Sequence, residues 1–93
     1  MKITITYKTK DGKRLRRVLK EADKLSEISL TRRAIFVFCS FKVYEGFSDG
    51  NVDNEGYFTI INEPKAPAWG RDFPFDELVG WAYAEGRKEA NNG

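Results

Sequence analysis

The stretch that most constrains this chain is residues 34–47, Ala-Ile-Phe-Val-Phe-Cys-Ser-Phe-Lys-Val-Tyr-Glu-Gly-Phe, its longest apolar run. Ile35, Val37, Cys39, Phe41 and Val43 alternate without a break, so an extended backbone puts all five on one face. The other face carries Phe36 and Phe38, then Ser40, Lys42 and Tyr44, a pattern that reads as covered at its start and open further along. The β-branched and aromatic content suits a pleated, mostly buried surface. The expectation is one long central strand, for which the rest of the chain must supply neighbours and a lid.

Residues 2–9 are the first neighbour. Ile3, Ile5 and Tyr7 face one way, and Lys2, Thr4, Thr6 and Lys8 the other, as in a half-buried strand. Asp11-Gly12 follows, a strong hairpin signal. A two-residue loop would pair Tyr7 with Arg16 and mix the faces. A three-residue loop with Gly12 in the left-handed region pairs Tyr7 with Leu15 and Ile3 with Leu19, keeps one face largely apolar, and is preferred. Its flaw is Arg17, which falls on the apolar face opposite Ile5. A rival reading competes. Leu15, Val18, Leu19, Ala22 and Leu25 also fit helical spacing, so residues 13–27 can be read as strand or as helix.

Residues 48–56 are rich in turn formers and read as a loop. Tyr57–Asn62 reads as a third strand, expected to pair with the central strand across that loop. Pro64 and Pro67 make residues 63–70 a crossing segment. From Pro74 to Ala90 the spacing predicts a helix, with Phe75, Leu78, Val79, Ala82 and Tyr83 on one stripe and Trp81 off it. Pro74 suits its first turn, and Asp76, Glu77, Arg87 and Lys88 suit its dipole. The fold class that follows is α+β: a small antiparallel sheet of three to four strands with a C-terminal helix packed across one face. Ninety-three residues form one domain, with residues 91–93 as a frayed tail.

Absences narrow the chemistry. The chain has no histidine and one cysteine, which removes imidazole bases, Ser-His and Cys-His pairs and the usual zinc ligand sets. Cys39 lies in the most apolar stretch and reads as core filler. No Gly-Lys-Ser/Thr phosphate loop occurs. Asp76 and Glu77 are explained by a helix start. Asp49, Asn51, Asp53 and Glu55 alternate as calcium-loop ligands do, but Asn54 and Ile60 stand where that loop needs Gly and Glu, so a solvated loop is the preferred reading. Arg33-Ala-Ile-Phe-Val-Phe evokes the aromatic strand on which RNA-binding sheets stack bases. It lacks the small residues and the final aromatic of that pattern, and core packing is the better account of Phe36 and Phe38. No cofactor or metal is expected, and no enzyme.

Charge supplies the functional expectation. Residues 1–33 hold 11 Lys or Arg and 4 Asp or Glu, a balance of +7, while residues 34–93 hold 5 and 10, a balance of −5. The basic segment points to an anionic partner, nucleic acid or the acidic surface of a protein, held by Lys8, Lys10, Lys13, Arg14, Arg16, Arg17, Arg32 and Arg33. The alternative is a stand-alone protein–protein inhibitor or adaptor, of the kind phages direct at host systems, with Trp69, Phe73 and Trp81 as exposed anchors. No apolar run reaches the roughly 20 residues of a membrane span. The start, Met-Lys-Ile-Thr-Ile-Thr, lacks a signal-peptide pattern, and the single cysteine suits a reducing compartment, so a cytoplasmic location is expected.

Overall fold

The computed structural model describes residues 2–9, 11–63 and 70–84. Within these residues eight short strands carry the architecture: β1 (Thr4–Lys8), β2 (Arg14–Val18), β3 (Lys20–Glu21), β4 (Ala34–Phe38), β5 (Val43–Gly46), β6 (Tyr57–Ile61), β7 (Gly70–Pro74) and β8 (Leu78–Tyr83). Every pairing is antiparallel: β1 with β2, β6 with β7, and a four-stranded sheet in the order β3-β8-β4-β5. Among the described residues the helical turns are both 3-10, Ala22–Glu27 and Phe75–Glu77.

Strand β4 is the centre, buried at all five positions. Ala34, Phe36 and Phe38 face a core with Leu25, Ile28, Phe58, Ile60, Phe73, Leu78 and Trp81. Ile35 and Val37 face a second core with Leu19, Ala82 and Ala84, extended by Ile5, Tyr7, Leu15, Val43 and Val79. The four-stranded sheet is therefore covered twice. The β1–β2 hairpin lies over one face, and the β6–β7 hairpin with the first 3-10 turn lies over the other. Burial on both faces explains why β4 reads as a continuous apolar run.

The fold of the described residues is thus not α+β; three expectations are corrected and one open reading is resolved. First, residues 34–47 are a hairpin rather than one long strand, with Ala34 opposite Gly46 and Val37 opposite Val43. The chain reverses through Cys39–Lys42: Phe41 donates its N–H to the Phe38 carbonyl at 2.8 Å, and Phe38 donates to Lys42 at 2.9 Å. Phe41 takes a left-handed backbone, φ 64°, and is 92% exposed. A bulky residue rarely adopts that conformation, so the sequence carries no Gly, Asn or Pro to mark the turn. Cys39, expected in the core, is exposed on this turn. It should react with a thiol reagent in the native protein as fast as after denaturation. Protection in the native state would place it back in the core.

Second, β6 does not pair with the central strand. Both edges of β4 are already occupied, by β5 and β8, so β6 finds its partner in β7. Toward β5 the described residues show one isolated bridge, between Ile61 and Phe47.

Third, among the described residues no C-terminal helix packs across the sheet. Residues 75–77 are a 3-10 turn, and Leu78–Tyr83 is strand β8, paired with β4 along its length. The helical stripe was misleading because β8 is buried from both sides. Leu78, Trp81 and Tyr83 join the first core, while Val79 and Ala82 join the second. An irregularity in register beside Val79, where Phe38 pairs with Leu78 and Val37 with Gly80, breaks the two-residue period that would have announced a strand. The remainder of the expected helix, residues 85–90, and the expected frayed tail, 91–93, lie outside the described residues.

Fourth, the ambiguous segment 13–27 divides. Its first part is β2, its second is the short β3, and only Ala22–Glu27 turns, as a 3-10 helix that buries Leu25. No helix among the described residues is long and apolar enough to cross a membrane.

Candidate nucleic-acid interface

The basic segment is displayed by the β1–β2 hairpin, whose register is Tyr7 opposite Leu15 and Ile5 opposite Arg17. Its tip is tied by backbone and side chain. Thr9 donates its N–H to the Lys13 carbonyl at 2.8 Å, Gly12 donates to Thr9 at 3.0 Å, and the Lys13 N–H reaches the Thr9 hydroxyl at 3.0 Å. Gly12 has φ 93°, the left-handed value that this loop requires. The Thr9 hydroxyl also donates to Asp11, and that bond, with the Lys13 N–H, holds the Asp11 carboxyl below its usual range.

The hydrogen-bond phase decides how closely the outward side chains sit. Thr9 bonds Lys13, and Leu19 donates to Ile3 at 2.7 Å. Alternation makes Tyr7–Leu15 and Ile5–Arg17 the hydrogen-bonded pairs. Lys8–Arg14, Thr6–Arg16 and Thr4–Val18 are then the non-hydrogen-bonded pairs, whose side chains stand closest, with Cα atoms about 4.5 Å apart. All six of these residues are exposed. Lys8 and Arg14 are like charges directly opposite one another, an arrangement that costs stability. Among the described residues no carboxylate forms an ion pair with Lys8, Arg14 or Arg16; ion pairs elsewhere include Lys24–Glu27 at 3.9 Å and Arg33–Glu45 at 3.7 Å. The face therefore presents three cations and two threonine hydroxyls, Thr4 and Thr6, to solvent.

The inner face fixes this hairpin to the sheet. Ile5, Tyr7, Leu15 and Leu19 pack on the second core. Tyr7 donates its hydroxyl to Glu45 at 3.2 Å, and burial, the Glu45 charge and this bond together push the Tyr7 hydroxyl above its usual range. Arg17 is no flaw in the register. Its Nε donates to the Tyr83 carbonyl at 3.0 Å and its Nη2 to the Ala84 carbonyl at 2.9 Å, so it closes the end of β8. Hydrogen bonds from charged donors contribute about 1.5–3 kcal/mol. Arg17→Met should lower unfolding free energy by about that amount in denaturant melts. A loss under ~0.5 kcal/mol would show that Arg17 does not hold the hairpin down.

The expected site residues thus separate. Lys8, Arg14 and Arg16 share the outer face, and Lys13 is exposed at its tip. Lys10 and Trp69 lie outside the described residues. Arg17 faces inward. Arg32 is half-buried with its guanidinium 3.7 Å from the centre of the Tyr83 ring. Arg33 lies beside Glu45 and over the Phe47 ring at 5.2 Å. These three arginines engage the fold's own carbonyls, rings and acid rather than the outer face. Phe73 and Trp81 are not exposed anchors. Phe73 is buried against Phe38, with centroids 5.2 Å apart, and Trp81 is fully buried at the centre of β8, because the segment that carries it is a strand covered on both faces. Phe36 and Phe38 are likewise beneath the β6–β7 layer, so no base can stack on them. The aromatic that sequence reasoning passed over is Phe41, whose alternation with Val37 and Val43 disguised a turn.

Compared with family models, with curated proteins and with solved structures, the chain shows no match.

Proposed function

We propose that this is a non-catalytic, cytoplasmic protein that binds nucleic acid through the outer face of its β1–β2 hairpin, contacting the phosphate backbone with Lys8, Arg14 and Arg16. The observation that supports the reading is the Lys8–Arg14 pair: like charges at the closest type of cross-strand position, with no carboxylate paired to either among the described residues. A phosphate between them removes the repulsion. Arg16 sits two residues along β2 from Arg14, about 6.8 Å on the same face, so the cations form a stripe and not a point. Thr4 and Thr6 add the hydroxyl donors common at phosphates. Among the described residues no aromatic side chain shares this face, so bases have nothing there to stack on and contact is to the backbone.

The reading is tested by fluorescence anisotropy with labelled duplex and single-stranded oligonucleotides of scrambled sequence. Dissociation constants in the ~10⁻⁴–10⁻⁶ M range near physiological salt, similar across sequences and weakening steeply as salt rises, are expected. Failure to bind either form at low salt, with binding to polyglutamate instead, would reassign the face to an acidic protein.

A further inference from the structure

We infer that a groove between β6 and the 48–53 loop is a second, independent site, one that takes an extended peptide segment bearing an apolar side chain flanked by Lys or Arg. The groove is lined by Leu30, Phe47, Val52, Tyr57, Thr59 and Ile61, with Asp49 and Asp53 also in its wall, and encloses about 340 Å³. Leu30, Val52 and Tyr57 are three of the exposed large hydrophobic residues, each between 38% and 42% accessible, and they converge here. The volume lies at the lower end of that of ligand-binding clefts, about 300–1,000 Å³.

Backbone geometry gives the occupant its chemistry. Phe75 donates to the Gly56 carbonyl at 2.8 Å, which sets the phase of the β6–β7 ladder. Phe58 and Ile60 then bond toward β7, and Tyr57, Thr59 and Ile61 turn their N–H and C=O groups the other way, toward the groove. Two of these three are satisfied by the loop. Ile61 exchanges both bonds with Phe47 at 2.8 Å, and Tyr57 exchanges with Asp53, whose N–H it accepts at 2.8 Å and whose carboxylate it reaches at 3.0 Å. Between these attachments Thr59 offers one donor and one acceptor that meet no partner among the described residues. With both flanking positions taken, this N–H and C=O can pair with one residue of a peptide backbone that crosses β6 at Thr59. The apolar lining suits one inserted side chain, and Asp49 and Asp53 suit flanking cations. The loop is held in shape without a guest. The Gly50 N–H bonds the buried Ser48 hydroxyl at 3.0 Å, and Gly50 has φ 78° in a position where a Cβ would meet the Leu25 carbonyl at 2.5 Å.

The test is an amide-resolved NMR titration of the full chain with the blocked peptide acetyl-Gly-Arg-Leu-Arg-Gly-amide. Saturable shifts centred on Thr59, Tyr57, Val52 and Leu30 are expected. Affinity should fall about tenfold or more for the same peptide with Glu in place of Arg. It should also fall for the peptide N-methylated at leucine, which cannot donate to Thr59, and for Asp49→Lys protein. The two altered peptides need no protein variant, so the outcome does not hinge on how the variant folds. Absence of shifts up to millimolar peptide, shifts centred on the β1–β2 hairpin, or equal binding of the acidic peptide would each overturn the inference.

Discussion

Phe36→Ala should lower unfolding free energy by about 3–5 kcal/mol. Phe36 is the middle residue of β4 and has no exposed surface. Tyr44 and Trp81 stand opposite it on the flanking strands, and Phe58 lies 6.0 Å away, centroid to centroid, from the layer above. Truncation would leave a void bounded by elements held on three sides, which cannot collapse to fill it. Phe41→Gly is the matched control. Five residues away, Phe41 stands in solvent with a left-handed backbone that glycine adopts freely, so its replacement should cost nothing. Equal losses from the two variants would mean that residues 34–47 run as one buried strand. A Phe36→Ala loss under ~1 kcal/mol would mean that the β6–β7 layer does not cover β4.

The second large effect is on binding. Lys8→Glu, Arg14→Glu and Arg16→Glu together should sharply weaken nucleic-acid binding while leaving a cooperative unfolding transition. The outer face carries none of the core, and exposed substitutions of this kind change stability by about 0.5 kcal/mol or less. Lys8→Glu alone separates the roles more sharply. It converts a like-charge cross-strand pair into an opposite-charge one, worth roughly 0.2–1 kcal/mol, so it should stabilise the protein and weaken binding at once. A variant that both destabilises the fold and keeps its affinity would remove this face from the account.

The hairpin was legible in the sequence because one of its faces meets solvent. Alternation from Lys2 to Lys8, the Asp11-Gly12 turn and the demand for one apolar face together select the observed register. The centre was legible only in part: the start of the central strand was read, but its end and its partner β8 were not, for the same reason in reverse. In β4 and β8 both faces are buried, so polarity carries no period, and a strand of Leu78–Tyr83 with an irregularity beside Val79 looks like a helical stripe. The Cys39–Lys42 turn carries no Gly, Pro, Asn or Asp, and Phe41 sits in a left-handed backbone that no composition rule anticipates. Of the candidate site, the stripe of Lys8, Arg14 and Arg16 followed from register alone. Which arginines leave that stripe did not. Arg17, Arg32 and Arg33 are claimed by carbonyls, a tyrosine ring and a carboxylate brought from β5 and β8, contacts that depend on long-range pairing.

The central claim is that the outer hairpin face reads phosphates, and it is tested most directly by the salt dependence of oligonucleotide binding for the native chain and the triple variant. Each lost phosphate contact reduces the slope of log affinity against log salt by about 0.9 on duplex and about 0.7 on single strands. For Lys8, Arg14 and Arg16 together the slope should therefore shrink by roughly 2.7 on duplex and roughly 2.1 on single strands, with affinities for the variant measured at the lowest salt where any binding persists. An unchanged slope in a folded triple variant would contradict the account.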